Sequence, residues 1–331
     1  MAAICYFCEG MKETPRYSVV IPVFNRPEEL DELLLSFTVQ TFRNFEVIIV
    51  EDGSQIRSES VYEKYSSKLS IQYFYKPNSG PGPSRNVGFQ QAKGAYFVVF
   101  DSDCILPPTY FETVEKCLSS EHLDAWGGPD RGHNKFTPLQ QAMAYTMSSG
   151  LTTGGIRGGK NNDARFQPRS FNMGISRAVF EKTGGFHFDR QAEDIELSIR
   201  IRKAGFRVGL IPEAFVYHKR RTTLRQFYHQ VKGFGRGRAL VGKVHPEEIK
   251  VTHWFPVLFL LGLICIPFVT LFNPWLGEGM VLCYGLYWLA ILIDGFRMTH
   301  SLQIAFLSVA SGLVQLTGYG VGFIREKFRR K

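Results

Sequence analysis

Three kinds of apolar pattern run along the chain. The first is a series of short continuous runs at 17–21, 45–50, 71–75 and 95–100. Rich in β-branched and aromatic residues, they predict strands covered on both faces. Between the first two, Leu30, Leu33, Leu34 and Phe37 recur at i, i+3, i+4, i+7 behind Pro27, the stripe of a helix that a proline opens. Residues 84–92 predict a short helix behind an irregular loop at Gly80-Pro81-Gly82-Pro83, since paired glycines and prolines interrupt regular structure. Strand, helix and strand in such close succession need right-handed crossovers and parallel neighbours. The fold class is therefore α/β, with a mostly parallel central sheet.

The second pattern is alternation. Ile195, Leu197, Ile199 and Ile201 alternate with polar residues, which on periodicity alone predicts a strand. The third is a set of long runs at 256–272, 280–293 and 303–324. A membrane helix needs roughly 17–25 mostly apolar residues. The first run meets this with Trp254 included, the second by extending through Trp275. Ser308, Gly312, Gly318 and Gly322 of the third suit close helix packing in lipid.

Chemistry collects where the first runs end. The fourth run leads straight into Asp101-Ser102-Asp103. Residues two apart in extended chain project to one side, and two carboxylates held together call for a cation. Oxygen ligands suit Mg²⁺ or Mn²⁺, and such an ion commonly joins one or two carboxylates to substrate phosphates. An Asp-rich turn is the plainer reading of the same residues. Asn25 and Asp52 also fall just past strand ends, the edge where open α/β sheets bind ligands. No G-x-G-x-x-G follows the first run, which disfavours a nicotinamide or flavin.

Composition narrows the partners. The 331 residues are 44% hydrophobic and 21% charged, with a formal net charge of +9. Apolar residues dominate only beyond about Trp254, so the expected division is a leader at 1–15, a mixed α/β domain at 16–250 and a membrane region at 251–331. Excess positive charge beside a membrane region favours anionic lipid or a phosphate-bearing substrate. No nucleic-acid motif is present. Cys5 and Cys8 form a lone C-x-x-C without further ligands, so neither a metal nor a redox centre is inferred. The N-terminus lacks the pattern of a signal peptide, which sets the expectation of a cytoplasmic soluble part. Glycine-rich 150–159, followed by Lys160-Asn161-Asn162, reads as either a lid or a plain exposed loop. His218 is a candidate for a metal shell or a phosphate contact. The arginines of 219–221 and Gly233-Phe-Gly-Arg-Gly-Arg238 suit diphosphate or anionic lipid.

Taken in order, Ser18-Val-Val-Ile-Pro22-Val-Phe-Asn25, Gln40-Thr-Phe42, Phe45-Glu-Val-Ile-Ile-Val-Glu-Asp-Gly-Ser54, Gly82-Pro-Ser-Arg85-Asn86 and Phe100-Asp-Ser-Asp103 resemble the family-2 glycosyltransferases of GT-A fold. The resemblance continues through Phe171-Asn-Met-Gly-Ile175, Gly184-Gly-Phe186 and Gln191-Ala-Glu-Asp194 to about Arg238. It implies an inverting transfer of a sugar from a nucleotide sugar. By resemblance Pro22, Asn25 and Arg85 belong to the donor site, Asp52 hydrogen-bonds the base, Asp101 sits near the ribose and Asp103 holds the metal. Asp194 matches the catalytic base, and resemblance makes 195–201 a helix ending near Gly205. Glu51 stands where the family often has Asp. Gln230 and Arg236 echo a processive-synthase motif only loosely, and no Trp follows, so polymer synthesis is not inferred. Arg236 remains a candidate diphosphate contact.

The expected protein is thus a membrane-anchored, metal-dependent hexosyltransferase at the inner membrane. Its expected acceptor is the hydroxyl of a lipid-linked or cell-envelope glycan. A polyprenyl-phosphate sugar synthase is the rival enzyme, and a membrane scaffold the rival outside enzymes. Positive residues at 325–331 oppose a third crossing. The expected topology is therefore two spans, with the third run re-entrant or interfacial and the C-terminus cytoplasmic.

Overall fold

The computed structural model describes residues 14–131, 136–154, 166–218 and 221–329, and not the side chain of His218. The leader through residue 13, Cys5, Cys8, most of the glycine-rich segment (155–165), Lys219, Arg220, Arg330 and Lys331 lie outside the described residues. The chain divides into two compact units. One comprises Met1–Gly128, Pro168–Gly185 and Ile201–Ala214, the other Pro129–Gln167, Phe186–Arg200 and Phe215–Lys331.

The first unit is α/β. Its elements are β1 (Tyr17–Val23), α1 (Pro27–Thr38), β2 (Phe45–Asp52), α2 (Glu59–Tyr65), β3 (Ile71–Lys76), α3 (Pro81–Gln91), β4 (Tyr96–Phe100), β5 (Cys104–Ile105), α4 (Tyr110–Ser120) and β6 (Ala125–Gly127), then β8 (Asn172–Ser176), α7 (Arg177–Thr183) and β9 (Val208–Leu210). Seven strands form one sheet in the order β3-β2-β1-β4-β8-β6-β9. β1 runs parallel to β2 and β4, β2 to β3, and β6 to β9; only β8 is antiparallel to its neighbours. The sheet is mostly parallel, as the crossovers require.

Every residue of the α1 stripe, Leu30, Leu33, Leu34 and Phe37, is fully buried. Burial of side chains this size stabilises by about 1.5–3 kcal/mol each. The Phe37 ring meets Phe45, Phe100 and Phe111 with centroids 5.7, 6.0 and 6.3 Å away. Trp126 of β6 stands opposite Gly174 of β8. A Cβ at Gly174 would lie 2.1 Å from the indole, so this strand position must be glycine. The loop expected at Gly80–Pro83 is instead the first turn of α3, which starts at Pro81. Proline is tolerated there because first-turn N–H groups have no helical partner.

The second unit contains β7 (Asp130–Arg131), α5 (Pro138–Ser148), α6 (Gly150–Thr153), α8 (Glu193–Lys203, through Arg200 in this unit), β10 (Val216–His218), α9 (Leu224–Val244), α10 (Phe255–Phe272), α11 (Pro274–Thr299) and α12 (Leu302–Lys327). The segment that alternates is a helix. Ile195 and Ile199 pack on Val241 of α9, and Leu197 and Ile201 are buried as well. Apolar residues around most of the circumference hide the 3.6-residue period.

Helices α10, α11 and α12 are each long and apolar enough to cross a membrane. They differ in packing: the most apolar windows of α10 and α11 are 17% and 11% buried, that of α12 50%. The re-entrant form expected for the third run is overturned. α12 is one unbroken helix of 26 residues, about 39 Å at 1.5 Å per residue, whereas a re-entrant segment must break to turn back.

Candidate active site

Parallel strands β2 and β4 flank β1, so their carboxyl ends open on one edge. Asp52 closes β2, and Asp101 follows β4 directly. The Asp52 carboxylate is almost wholly buried. It accepts from the Lys76 ammonium and from the backbone N–H groups of Ser79 (2.9 Å) and Gly80 (2.8 Å). Asn78 Nδ2 donates to the Asp52 carbonyl at 2.7 Å. Asp52 therefore shapes the 76–80 turn that leads into α3.

The next two carboxylates each meet an arginine. Arg85 of α3, 2% exposed, donates to Asp101 Oδ1 at 2.8 Å. Arg26 donates to Asp103 Oδ2 at 2.5 Å. Burial disfavours charge on Arg26, but Asp103, Glu29 and Asp101 outweigh it and hold the guanidinium above its usual pKa. Asn25 sits in the left-handed region at φ 53°. Its Oδ1 accepts from the N–H groups of Gln55 (2.8 Å) and Ile56 (3.0 Å), and its own N–H donates to Ser54 Oγ at 2.7 Å. Pro22 lies within β1, opposite Val50.

Beneath this edge, Glu51 is fully buried. It accepts from Ser54 Oγ, from the Ser58 N–H at 2.8 Å and from the Tyr73 hydroxyl at 3.1 Å. Burial, and then the Glu51 charge, push the Tyr73 hydroxyl above its ordinary pKa. Glu51, which departs from the usual Asp, thus ties the loop after β2 to β3.

In the second unit, Asp194 lies in the first turn of α8, and its Oδ1 accepts from the Ile195 N–H at 2.8 Å. Ala192, just before, is left-handed at φ 57°. Glu196, 1% exposed, takes a two-pronged contact from Arg200, both arms at 2.7 Å, and His245 Nε2 lies 3.3 Å away. Burial raises the Glu196 pKa, but Arg200 and His245 outweigh it and hold it low. Arg236 has a partner within the chain: its Nε donates to Glu326 of α12 at 2.9 Å. Among the described residues no three His, Cys, Asp or Glu side chains converge as a metal cluster.

A model of the family described as glycosyl transferase family 2 matches residues 18–184, half of the chain. The chain belongs to glycosyl transferase family 2. An uncharacterized glycosyltransferase of Rickettsia conorii is 39% identical over 143 residues, 43% of this chain and 23% of that protein. The probable glycosyltransferase YdaM of Bacillus subtilis is 26% identical over 254 residues, 70% of this chain and 57% of that one. The cholesterol galactosyltransferase of Borreliella burgdorferi is 33% identical over 110 residues, 33% and 31% of the two chains. The matches thus span less than two thirds of each of these curated relatives. Among solved structures, the mannosyltransferase PcManGT of Pyrobaculum calidifontis, in complex with GDP-Man and Mn²⁺, aligns at TM-score 0.60 and 16% identity. It covers 95% of this chain and 87% of its own. That likeness shows the GT-A fold.

Within this family member the structure groups Pro22, Asn25, Asp52, Arg85, Asp101 and Asp103 in one unit, and Asp194 and Arg236 in the other. Sequence reasoning missed Arg26 and Lys76, the cations on Asp103 and Asp52. Their signal was available: a basic residue directly past Asn25, and another at the end of the third apolar run. It also missed the hub role of Glu51.

Proposed function

We propose that the chain is a membrane-anchored inverting glycosyltransferase that moves a sugar from a nucleotide sugar to a hydroxyl of a lipid-linked or cell-envelope glycan. The observation that carries this reading is the strand-end edge where Asp52, Asp101 and Asp103 are each held by a cation, Lys76, Arg85 and Arg26. The base lies against Asp52 and the turn it shapes, the ribose near Asp101, and the diphosphate near Asp103. The donor set at Asp101 and Asp103, all oxygen and two residues apart, fits a hard ion such as Mg²⁺ or Mn²⁺, which keeps several waters and takes further ligands from phosphate. When bound, the ion supplies positive charge to the leaving diphosphate. His218 and Arg236 are assigned to the same phosphate end, Asn25 to the turn that borders the donor and Pro22 to the end of β1 that leads into it.

Asp194 takes the proton of the acceptor hydroxyl. The acceptor oxygen bonds to the anomeric carbon as the bond from that carbon to the diphosphate oxygen breaks, and the electron pair leaves with the diphosphate. A single displacement inverts the anomeric centre. The similarity to a cholesterol galactosyltransferase supports a membrane-resident acceptor. The division into a leader, a sugar-transfer domain over 16–250 and a membrane region over 251–331 belongs to the same reading. So does a cytoplasmic catalytic domain at the inner membrane. The test is a panel of nucleotide sugars offered to the purified protein, with and without divalent metal. Hydroxyl acceptors and polyprenyl phosphates are supplied in separate arms. Transfer to a hydroxyl is expected; transfer to polyprenyl phosphate alone would establish the rival synthase, and no transfer would overturn both.

The packing of α9 supports two spans and an interfacial α12. Along its C-terminal half, α12 is lined by α9: Lys232 and Arg236 border Gly322, and Arg236 and Lys243 engage Glu326. Charges of this number are costly in the hydrocarbon core, so this half of α12 stays with α9 at the cytoplasmic surface. A single Cys placed after Lys331 in a Cys-free chain should resist a membrane-impermeant thiol reagent in intact cells. Labelling would instead give three spans.

A further inference from the structure

α9 lies between the acidic turn and α12, and it meets both through glycine. On one side, a Cβ at Gly237 would lie 2.9 Å from the Ala192 Cβ, and one at Gly233 would lie 3.7 Å from Gln191 Nε2. On the other, a Cβ at Gly235 would lie 2.1 Å from the Tyr319 carbonyl oxygen of α12, and one at Gly322 would lie 2.0 Å from the Lys232 carbonyl oxygen. The approaches between α9 and α12 bring backbone to backbone, which leaves little freedom to slide. Polar contacts pin both sides. The buried Glu326 of α12 takes Arg236 Nε at 2.9 Å and Lys243 Nζ at 3.2 Å. His245, at the C-terminal end of α9, lies 3.3 Å from Glu196 in the first turn of α8. Ile195 and Ile199 of α8 pack on Val241 of α9. Ala192 keeps a backbone conformation that L-residues rarely adopt, and such strain persists only where the surroundings over-determine it.

We infer that α12 is a positioning element for the Gln191–Glu196 turn, and with it the Asp194 carboxylate, acting through α9 as well as helping to hold the chain at the membrane. The inference rests on the reading of Asp194 as the base. Glu326, Gly322 and Gly237 are its positioning residues. A base displaced by about 1 Å can lose roughly a hundredfold in rate, so register between α12 and α9 is read out as turnover.

The experiment uses the full chain in detergent or lipid with its sugar donor and acceptor. Gly237→Ala should lower kcat by about ten- to a hundredfold while the donor KM stays unchanged. Adding Ala192→Gly removes the Cβ that the new methyl meets and should recover most of the loss, which a globally damaged protein would not do. Glu326→Gln, far along the chain from Asp194, should also lower kcat and shift the acid limb of the kcat–pH profile. Gly322→Ala is the stronger form of that change, and thermal melting reports whether it folds. Asp194→Asn separates the two layers of the argument. Full transfer by Asp194→Asn would overturn the base assignment and the inference with it. Inactive Asp194→Asn beside Glu326→Gln and Gly237→Ala of normal kcat and pH profile would overturn the inference alone.

Discussion

The strand-end edge and the acidic turn both present carboxylates, yet they neutralise them differently. At the edge each candidate carboxylate meets its own cation: Lys76 on Asp52, Arg85 on Asp101, Arg26 on Asp103. At the turn, Arg200 and His245 converge on Glu196, while Asp194 Oδ1 takes a backbone N–H. The first arrangement suits groups that hold charge in place for an anionic donor. The second sets Asp194 in the first turn of α8, two residues from a Glu196 that Arg200 and His245 hold ionised, a place where a carboxylate can face an acceptor hydroxyl.

The sharpest way to break this contrast is Asp194→Asn. Loss of a general base typically costs about 10²–10⁴-fold in rate, so transfer should collapse while calorimetry still finds donor binding intact. A folded variant with near-normal turnover would remove the distinction between the regions. Asp103→Asn should show the opposite split. Donor affinity should fall by at least the ~10–100-fold that even an outer-shell partner of a metal is worth, and a chelator should mimic the change in the unmutated protein. Equal affinity with and without metal would remove the metal from the edge.

A third substitution asks whether the edge is rigid because of its buried hub. Glu51→Gln leaves the Ser54 hydroxyl, the Ser58 N–H and the Tyr73 hydroxyl facing a weaker acceptor. The expected loss is about 1–3 kcal/mol of stability, read by thermal melting, with donor affinity per folded molecule retained. An unchanged melt would mean that the loop after β2 is held from elsewhere.

The two regions also differ in how much of them the sequence displayed. β1 to β4 and α1 were legible because a sheet covered on both faces writes itself as unbroken apolar runs, and a one-sided helix writes a stripe. The carboxylates were legible because strand ends put them at a predictable edge. The cations were legible as basic residues but not as partners, because strand register sets Lys76 of β3 beside Asp52 and the turn after β1 carries Arg26 to Asp103, and no periodicity encodes either pairing. α8 was misread by pattern alone, since burial of Ile195, Leu197, Ile199 and Ile201 together erases the helical period; resemblance supplied what the pattern withheld. The α12 glycines announced close packing but not its partner. For Gly318 and Gly322 that partner is α9, whose glycines look like loop formers until their neighbours are known, whereas Gly312 faces Ile291 and Trp288 of α11.

The smallest effect concerns the approach to the membrane helices, where a buried histidine replaces the buried carboxylates of the sheet edge. His253 is 4% exposed, and its Nδ1 accepts the Lys250 N–H at 2.9 Å. Burial, reinforced by the charges of Arg238 and Lys250, pushes its imidazole down from 6.5 to about 3. The folded protein therefore keeps His253 neutral where the unfolded chain already binds a proton. Stability from this group is fully present above pH 6.5 and is lost as pH falls from 6.5 toward about 3, because the unfolded state takes up more protons across that window. One wholly unmatched proton gives a slope of about 1.4 kcal/mol per pH unit, and the slope here is at most that. His253→Gln, which keeps an acceptor for Lys250 but cannot titrate, should flatten the melting temperature against pH between 6 and about 4 and leave it unchanged in shape above pH 7. Parallel curves for the two proteins across the acid window would show that the helix approach opens before His253 is protonated, and the contrast with the sheet edge would then be one of local stability, not of charge.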